Sequence, residues 1–363
     1  MAKINFTMRG TITEVERAIR TIGVELTPIV ISEPGCGKSS LLGMLEETLG
    51  DGHDYIYVDC PVKDMMDVAA SIPNHTTKSL EYYVSSLFKL TGPDAKANAR
   101  PKVIMLDEFM KAPKLLQIIF TRLMLERMVG DVPLPKGSIV FGTSNNTTDG
   151  VGDAMMGHVG NRICKINMEK PKAEAWCAWA SKHKVARSIR AWVAMTPKVM
   201  ASYLDGDQGD NPYIFDPKKV GVQYASPRSL AKANVIVRNK DVLGEGLMMT
   251  LLAGTIGESA ARAMSAFISL EDQLMPFADV IKNPTTCKVP EDISVLLMMM
   301  MEAIDTLDNH DDLEAYMEFV NRVKNGEIVQ SIFFTMMMRN KSKLASRNKK
   351  INEWSTKNHT LLS

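Results

Sequence analysis

Residues 32–39 have the sequence S-E-P-G-C-G-K-S and lie between the apolar run IVIS (residues 29–32) and a helical pattern that begins at Ser39. Gly35 and Gly37 allow backbone amides to turn inward around phosphate oxygens, and the helix N-terminus adds a partial positive charge. Lys38 is expected to reach the β- and γ-phosphates, and the hydroxyl of Ser39 to coordinate Mg²⁺. The segment therefore predicts a phosphate-binding loop, with an ordinary glycine-rich turn as the alternative.

One position departs from the strict pattern of such loops, because Ser32 stands where the first glycine is expected. This position carries the least chemistry, so the departure leaves the proposed mechanism intact. Contacts with a nucleotide are predicted for Glu33, Pro34, Gly35, Cys36, Gly37, Lys38, Ser39 and Ser40. Cys36 lies near a helix N-terminus, where a thiolate is favoured, and is therefore a candidate for inhibitory alkylation.

The first half of the chain alternates short β-rich runs with longer helical patterns, which is typical of a parallel sheet covered by helices. The predicted strands are residues 29–32, 55–59, 103–107, 138–143 and 162–167. The predicted helices are residues 13–23, 39–49, 77–89 and 113–129. The fold class is therefore α/β, with a five-stranded parallel sheet and helices on both faces.

After Pro171 the strand signal fades, and helical patterns follow one another. They cover residues 171–183, 187–194, 196–204, 227–239, 247–270, 290–307, 311–324 and 328–338. The run VLLMMMM, residues 295–301, is flanked by acids and is too short to cross a membrane, so a buried helix is predicted. The basic run at residues 339–350 predicts a solvated tail. We expect an α/β domain over residues 1–170, a helical domain over 171–275 and a helical extension with a basic tail over 276–363.

Composition excludes several classes of function for these 363 residues. The net charge is +1, so bulk charge predicts no polyanionic partner, although a local basic patch is compatible with it. Five cysteines without paired short spacing argue against a disulfide framework and a zinc ribbon, and favour a reducing, cytoplasmic location. No signal peptide, membrane span or metal-binding histidine pattern is expected.

A pair of acids follows the third predicted strand. The sequence V-I-M-L-D-E places Asp107 and Glu108 at its carboxyl end, where ligands bind in parallel sheets. Asp107 is expected to hold Mg²⁺, directly or through water, and Glu108 to polarise the attacking water as general base. Adjacent acids can also cap the next helix, which would explain either acid singly.

Asn145 follows the fourth predicted strand and is a candidate to orient the same water, although such asparagines are commonly turn residues.

Together the phosphate loop, Asp107 and Glu108, Asn145 and the sequence S-P-R at residues 226–228 resemble an AAA+ ATPase of the P-loop NTPase class. The stretches L-D-E-F-M-K-A-P-K and L-P-K-G-S-I-V-F-G-T-S-N resemble the MoxR-type and dynein-related branch of that superfamily. In that branch a helix and then a β-hairpin precede the asparagine strand. The similarity covers roughly residues 10–270 and is strongest over residues 28–165.

The resemblance implies two further site residues. Arg162, in G-N-R-I, matches the arginine finger that reaches the ATP of a neighbouring subunit. Arg228, in A-S-P-R-S-L, matches the sensor arginine of a helical lid, which residues 171–275 would form. Each arginine has an ordinary alternative, a solvated or ion-paired surface side chain. The local sequence at Arg228 fits a helix start, with Ser226 as N-cap and Pro227 as first helical residue.

Three weaker features complete the comparison with that branch. Residues 129–138 correspond to its pre-sensor hairpin and residues 69–101 to its helical insert, both of which contact substrate or partners in relatives. Ordinary connecting structure is an equal alternative for both segments. Asp59, at the end of the second strand, is a candidate to couple partner binding to Glu108.

The resemblance implies an ATPase that binds ATP and Mg²⁺ at the interfaces of a homo-oligomeric, hexameric ring and remodels a protein client in a chaperone-like manner. A separate von Willebrand A-type partner is a further implication of the family. One alternative is a nucleic-acid motor or loader whose basic run, residues 339–350, grips phosphates. Against it stand the neutral net charge and the lack of a helix-turn-helix or stacking motif. The other alternative is a scaffold that binds ATP but turns it over negligibly.

Overall fold

The computed structural model describes residues 9–90, 100–146, 163–219, 221–324 and 326–357. The chain separates into two compact units, Met1–Lys170 and Pro171–Ser363. The strands are β1 (Arg9–Gly10), β2 (Thr27–Ser32), β3 (Asp54–Asp59), β4 (Ala69–Asn74), β5 (Ser79–Val84), β6 (Lys102–Asp107), β7 (Met128–Val129), β8 (Val132–Pro133), β9 (Ile139–Asn145) and β10 (Ile163–Met168). The helices of the first unit are α1 (Ile12–Ile22), α2 (Leu41–Leu49) and α3 (Lys114–Glu126).

Six strands of the first unit form one parallel sheet in the order β1-β10-β2-β9-β6-β3. The predicted α/β fold class is confirmed, and all five predicted strands lie in this sheet. The sixth strand, β1, has only two residues, too few to give a periodic signal in the sequence. It pairs with β10 at the edge of the sheet.

Strands β2, β9 and β6, in the middle of the sheet, are buried on both faces, which explains why each contains a continuous apolar run rather than an alternating pattern. Along β2, Ile29 and Ile31 belong to one hydrophobic cluster together with residues of α3. Val30, between them, belongs to a second cluster with residues of α1 and α2. The helices therefore cover opposite faces and leave the carboxyl ends of the strands to carry the polar residues.

The helix predicted over residues 77–89 is wrong. This stretch contains β5, which pairs antiparallel with β4, and a 3₁₀ turn (Ser86–Phe88). The side-chain oxygen of Asn74 accepts hydrogen bonds from two backbone N–H groups of the intervening turn, at 2.9 and 3.2 Å, and so reverses the chain. Turn chemistry and the β-forming Tyr82 and Tyr83 outweigh a weak helical period. The helical insert implied for residues 69–101 is likewise a β-hairpin in its described part.

A second, shorter hairpin follows α3. The predicted helix over residues 113–129 ends at Glu126, and β7 then pairs antiparallel with β8. This hairpin lies where the family resemblance placed the pre-sensor hairpin. Gly130, in its turn, has a φ of +57° and lies against Ala69 and Tyr82 of the first hairpin. The two hairpins therefore pack against each other.

The second unit is helical, as expected after Pro171. Its helices are α4 (Ala173–Lys182), α5 (Arg187–Met195), α6 (Pro227–Arg238), α7 (Lys240–Ile256), α8 (Glu258–Ile268), α9 (Phe277–Lys282), α10 (Ile293–Thr306), α11 (His310–Asn321), α12 (Glu327–Asn340), α13 (Ser342–Ser346) and α14 (Lys349–Lys357). One hydrophobic cluster runs from Ala173 to Trp354 and includes the fully buried methionine run of α10, which confirms the predicted buried helix. None of the described helices is long and apolar enough to cross a membrane.

Two predicted helices of this unit differ from the observed structure. Residues 196–204 form only a 3₁₀ turn (Pro197–Met200), because the carboxylate of Asp205 accepts a hydrogen bond from the backbone of Ser202 at 3.0 Å and competes with the helix. The single helix predicted over residues 247–270 is divided into α7 and α8 at Gly257, whose φ is +86°. A Cβ at Gly257 would lie 2.5 Å from the carbonyl oxygen of Gln223, so only glycine fits there.

The basic run at residues 339–350 is not the solvated tail that its charge suggests. It spans the end of α12, the whole of α13 and the start of α14. Trp354 of α14 stacks on Phe334 with ring centroids 3.7 Å apart, and Ile351 is fully buried. The apolar residues at helical spacing therefore fold this segment onto the core despite its charge.

Candidate active site

The phosphate loop lies between β2 and α2, in the strand, loop and helix order that the sequence predicted. Gly35 and Gly37 have φ angles of +78° and +97°, a left-handed region that glycine adopts without strain. The 3₁₀ turn Lys38–Ser40 then leads into α2. The hydroxyl of Ser40 donates a hydrogen bond to the carbonyl of Gly37 at 2.6 Å and closes the loop. Backbone N–H groups of such a loop can surround an anion.

The ammonium group of Lys38 is held inside this loop, and the residue is only 4% exposed. It donates to the carbonyl oxygens of Ser32 and Glu33 and to the hydroxyl of Ser32, each at 3.2 Å. A fourth contact, to Oδ1 of Asn145, is the shortest at 2.7 Å. Ser32, the departure from the usual glycine, therefore contributes a hydroxyl to the lysine and does not disrupt the loop.

Strand register brings polar and acidic residues to the same edge of the sheet. Ser32 of β2 lies beside Asn145 of β9, and Asp59 of β3 lies beside Asp107 of β6. Asp107 is nearly buried, and each of its carboxylate oxygens accepts a hydrogen bond from a hydroxyl group: Thr143 on one side and Tyr57, at 2.7 Å, on the other. These contacts fix the orientation of the carboxylate.

Glu108 follows directly and has a φ of +52°, a left-handed conformation that is rare for a residue with a side chain. Its carboxylate accepts hydrogen bonds from Nδ2 of Asn145 at 3.0 and 3.3 Å. It also forms an ion pair with Nζ of Lys111 at 2.9 Å. The side chains therefore form a connected series, Lys38 to Asn145 to Glu108 to Lys111.

This series has the parts that phosphoryl transfer chemistry requires. A cation lies in an anion-binding loop, an ionisable carboxylate lies within reach of a polar amide, and a second carboxylate is oriented beside them. An asparagine amide offers a donor and an acceptor, so Asn145 can exchange either protein contact for a phosphate oxygen or a water molecule. The geometry thus fits a nucleotide phosphate and a water molecule between Lys38 and Glu108.

Cys36 does not have the reactive thiolate that its place near a helix N-terminus suggested. It is 2% exposed, and burial, followed by the charge of Glu33, raises the pKa of its thiol to about 12. The predicted thiolate is wrong because desolvation of the charged form outweighs the loop's partial positive charge. Cys36 is therefore a neutral core residue of the loop, and all five cysteines of the chain are free thiols.

Two predicted site residues are not among the described residues of the first unit. Arg162 falls in the segment between residues 146 and 163, outside the described part of the chain. Arg228 lies in the first turn of α6, in the second unit. The predicted start of that helix is confirmed, since the side chain of Ser226 accepts a hydrogen bond from Ser229 N and Pro227 is the first helical residue.

Sequence reasoning missed Tyr57, Thr143 and Lys111, each of which contacts an acid of the site. Tyr57 and Thr143 carry one available signal, because each lies near the end of a predicted strand. That both strands neighbour β6 is evident only from the structure. Lys111 stands three residues after Glu108, within the 3₁₀ turn Phe109–Lys111. Only the observed turn shows that the two side chains meet.

No family model matches the chain, and the search of curated proteins finds no match. The solved structures returned include a RuvB mutant of Thermotoga maritima, with 12% identity, 84% of this chain and 85% of that chain covered, and a TM-score of 0.36. They also include NtrX from Brucella abortus in complex with ATP. The identity is 11%, the match covers 98% of this chain and 69% of that chain, and the TM-score is 0.36.

Proposed function

We propose that this chain is an ATPase that binds Mg·ATP in the loop at residues 32–40 and hydrolyses it with Glu108 as general base. The connected arrangement of Lys38, Asn145 and Glu108, beside Asp107 at the carboxyl edge of the sheet, carries the proposal. Phosphoryl transfer depends on positioning and on stabilising negative charge rather than on covalent catalysis by the protein. The site supplies both.

Each residue has one task in this proposal. The ammonium of Lys38 exchanges its contact with Asn145 for the β- and γ-phosphate oxygens, and the loop amides bind the same phosphates. The freed Asn145 orients the attacking water, and Glu108 accepts its proton. The left-handed backbone at Glu108 turns its side chain from the end of β6 toward Asn145.

The residues present fit a magnesium ion. Mg²⁺ is usually held by one or two carboxylates, substrate phosphates and waters rather than by a cage of protein ligands. Asp107 offers a carboxylate whose orientation is fixed by Tyr57 and Thr143, and its oxygens keep lone pairs for metal-bound water. Ser39 is the second proposed ligand. When bound, the ion would neutralise negative charge on the phosphates.

Assembly is part of the proposal because two arginines complete the site. Arg162 is proposed as a finger that reaches the ATP of a neighbouring copy in a homo-oligomeric, hexameric ring, a contribution worth about 10³- to 10⁵-fold in rate in comparable enzymes. Arg228 is proposed as the sensor of a helical lid, which would respond to the γ-phosphate. Turnover would then require contact between copies.

A protein client is the favoured substrate of the mechanical work, as in MoxR-type ATPases. The hairpin of β4 and β5 supports this choice because Leu80, Tyr82 and Tyr83 are 49–66% exposed, and exposed apolar groups of this kind mark interaction surfaces. The basic run at residues 339–350 gives only weak support to the nucleic-acid alternative, because acids within the chain already pair with two of its lysines. Lys341 and Lys350 of that run form ion pairs with Asp308 and Glu318, at 2.5 and 3.0 Å.

The decisive variant is Glu108→Gln, which keeps the shape of the side chain and removes the base. We expect it to bind ATP as the wild type does and to lose turnover by about 10²- to 10⁴-fold. Glu46→Gln, the same change at an exposed position of α2, is the matched control and should retain turnover. Equal turnover in the two variants would contradict the role of Glu108 as general base. Tight ATP binding by Lys38→Ala would contradict the assignment of residues 32–40 as the phosphate-binding loop.

A further inference from the structure

We propose that the second unit contains a separate binding site for a small polyanion. The site is a cavity of about 580 Å³ lined by residues of α4, α5 and α10 and of the end of α12, together with the turn between α4 and α5. All of its lining residues belong to the second unit, so it is distinct from the phosphate loop. Its volume lies in the range of about 300–1,000 Å³ that is usual for small-molecule sites.

The lining carries more positive than negative charge. Its cations are Lys182, Lys184, Arg187, Arg190 and Lys341, and its acids are Glu302 and Asp305. Each acid is already bound by an arginine: Arg187 pairs with Glu302, and Arg190 contacts both oxygens of Asp305. The positive charges of Lys182 and Lys184 are therefore not neutralised by either of these acids. The cavity therefore favours a negatively charged occupant.

Two features of α5 add positive charge to one side of the cavity: the buried guanidinium of Arg190 and the N-terminus of the helix. The guanidinium of Arg190 is 2% exposed, and its Nε donates to the carbonyl of Val185 at 2.9 Å, so this buried cation is held by the backbone as well as by Asp305. Helix α5 begins at the cavity, and its N-cap residue, Ala186, provides no capping side chain. The first-turn N–H groups of α5 add partial positive charge at this wall.

Asn340 supplies an independent observation. It lines the cavity, and both polar atoms of its side chain are buried without a hydrogen-bond partner in the described part of the chain. Buried amides are nearly always hydrogen-bonded, and a buried amide without a partner is energetically unfavourable. A ligand oxygen, or a water molecule that accompanies the ligand, would complete its hydrogen bonding after a small rotation of the side chain.

The occupant that fits these groups carries at least two negative charges and several acceptor oxygens. Ammonium groups and helix N-terminal amides bind phosphate and carboxylate oxygens alike. We therefore assign the site to a small phosphorylated or polycarboxylate anion, and the experiment distinguishes the two sources.

Isothermal titration with pyrophosphate and with citrate tests the assignment, using full-length Lys38→Ala protein so that the phosphate loop does not contribute. We expect saturable binding of at least one probe, and the tighter probe identifies the class of anion. The double variant Lys182→Ala/Lys184→Ala should weaken binding about tenfold or more, since it removes two charges from the cavity rim. Both lysines are exposed, so the variant should keep the thermal stability of its parent.

The matched control is Lys218→Ala/Lys219→Ala, which removes the same charge from exposed positions of the second unit that do not line the cavity. It should retain the affinity of the parent. Absence of saturable binding by both probes would overturn the proposal. An equal loss in the two double variants would also overturn it, because the effect would then be one of net charge.

Discussion

Asn145 contacts two charged groups of the candidate site, Lys38 and Glu108, with opposite ends of one amide. Its oxygen accepts from Lys38 at 2.7 Å, and its nitrogen donates to Glu108 at 3.0 Å. At the level of single residues, this amide links Lys38, the proposed phosphate-binding lysine, to the proposed base. A phosphate oxygen that takes Lys38 away from Asn145 would therefore change the surroundings of Glu108 in the same step.

In the proposed mechanism Asn145 turns to the attacking water and Glu108 keeps Lys111 as its partner, so we expect Lys111 to position the carboxylate. The pair is partly exposed, so Lys111→Ala should lower turnover by no more than about fivefold, with ATP affinity unchanged. Lys111→Arg, which preserves the charge, should restore most of the rate. Lys114→Ala removes an exposed lysine of the same segment and serves as the control. Unchanged or faster turnover in Lys111→Ala would contradict the positioning role.

The buried thiols predict a pH dependence of stability. Burial raises the pKa of Cys36 and of Cys177 to about 12. In the unfolded chain these thiols release their protons near a pH of about 8.5, so between there and pH 12 the unfolded state binds fewer protons than the folded state. The free energy of unfolding should therefore fall as pH rises, with each thiol adding at most about 1.4 kcal/mol per pH unit.

Urea unfolding on the alkaline side of this window, with wild type and Cys177→Ala compared, measures the effect. The variant lacks one such thiol and should show a shallower decline of the unfolding free energy with pH. Parallel declines in the two proteins would show that the Cys177 thiol does not contribute.

Most of the proposed chemistry at the residue scale follows from the sequence because the phosphate loop and the strand-end acids are local signals. The hydroxyl groups that orient Asp107 do not follow from it. Thr143 and Tyr57 come from the two strands that flank β6, and their contacts with Asp107 depend on strand order and register. A single sequence gives no direct measure of either quantity.

At the scale of elements, Arg127 joins three segments of the first unit. It follows α3, and its guanidinium donates to the carbonyls of Gly23 and Val24 at 3.0 and 3.2 Å and to the hydroxyl of Thr27 at 2.6 Å. It also contacts the carbonyl of Met124. These bonds tie the end of α3 to the connection between α1 and β2, the strand that leads into the phosphate loop.

Arg127→Ala should therefore reduce the free energy of unfolding by about 1–3 kcal/mol, because it removes the charged hydrogen bonds that join these segments. Arg122→Ala is the matched control. It removes the same side chain from the exposed face of α3, where the pairs with Glu126 and Asp131 are open to solvent, and should change stability by no more than about 0.5 kcal/mol. Equal denaturation midpoints for the two variants would contradict this account of Arg127.

Elements with a strong periodic pattern are predictable, whereas those defined by turns are not. The methionine-rich α10 follows from its apolar run and flanking acids. The hairpin of β4 and β5 was predicted as a helix because the reversal at Asn74 depends on two side-chain hydrogen bonds. The division between α7 and α8 is equally hard to predict. The helix ends at Gly257 because the backbone of Gln223 lies against that residue, a contact that the sequence does not reveal.

At the scale of the whole molecule, the boundary between the two units after Lys170 coincides with the change from alternating to purely helical patterns. Within the second unit, residues expected to form a lid and a separate extension contribute to one hydrophobic cluster. Cores of this kind join segments distant in sequence, which periodicity cannot reveal. The basic run at residues 339–350 shows the same limit, because its charge obscures the few buried residues that fold it onto the core.

ATP turnover per protomer, measured over a wide range of protein concentration with Glu108→Gln as the blank, tests the proposed hydrolysis most directly. An ATPase whose neighbouring copies supply Arg162 should gain specific activity as concentration rises and assembly proceeds, and Glu108→Gln should stay inactive throughout. Turnover that is indistinguishable from that of Glu108→Gln at every concentration would contradict hydrolysis at this site. Turnover that depends on Glu108 but not on concentration would keep the chemistry and contradict the role of assembly.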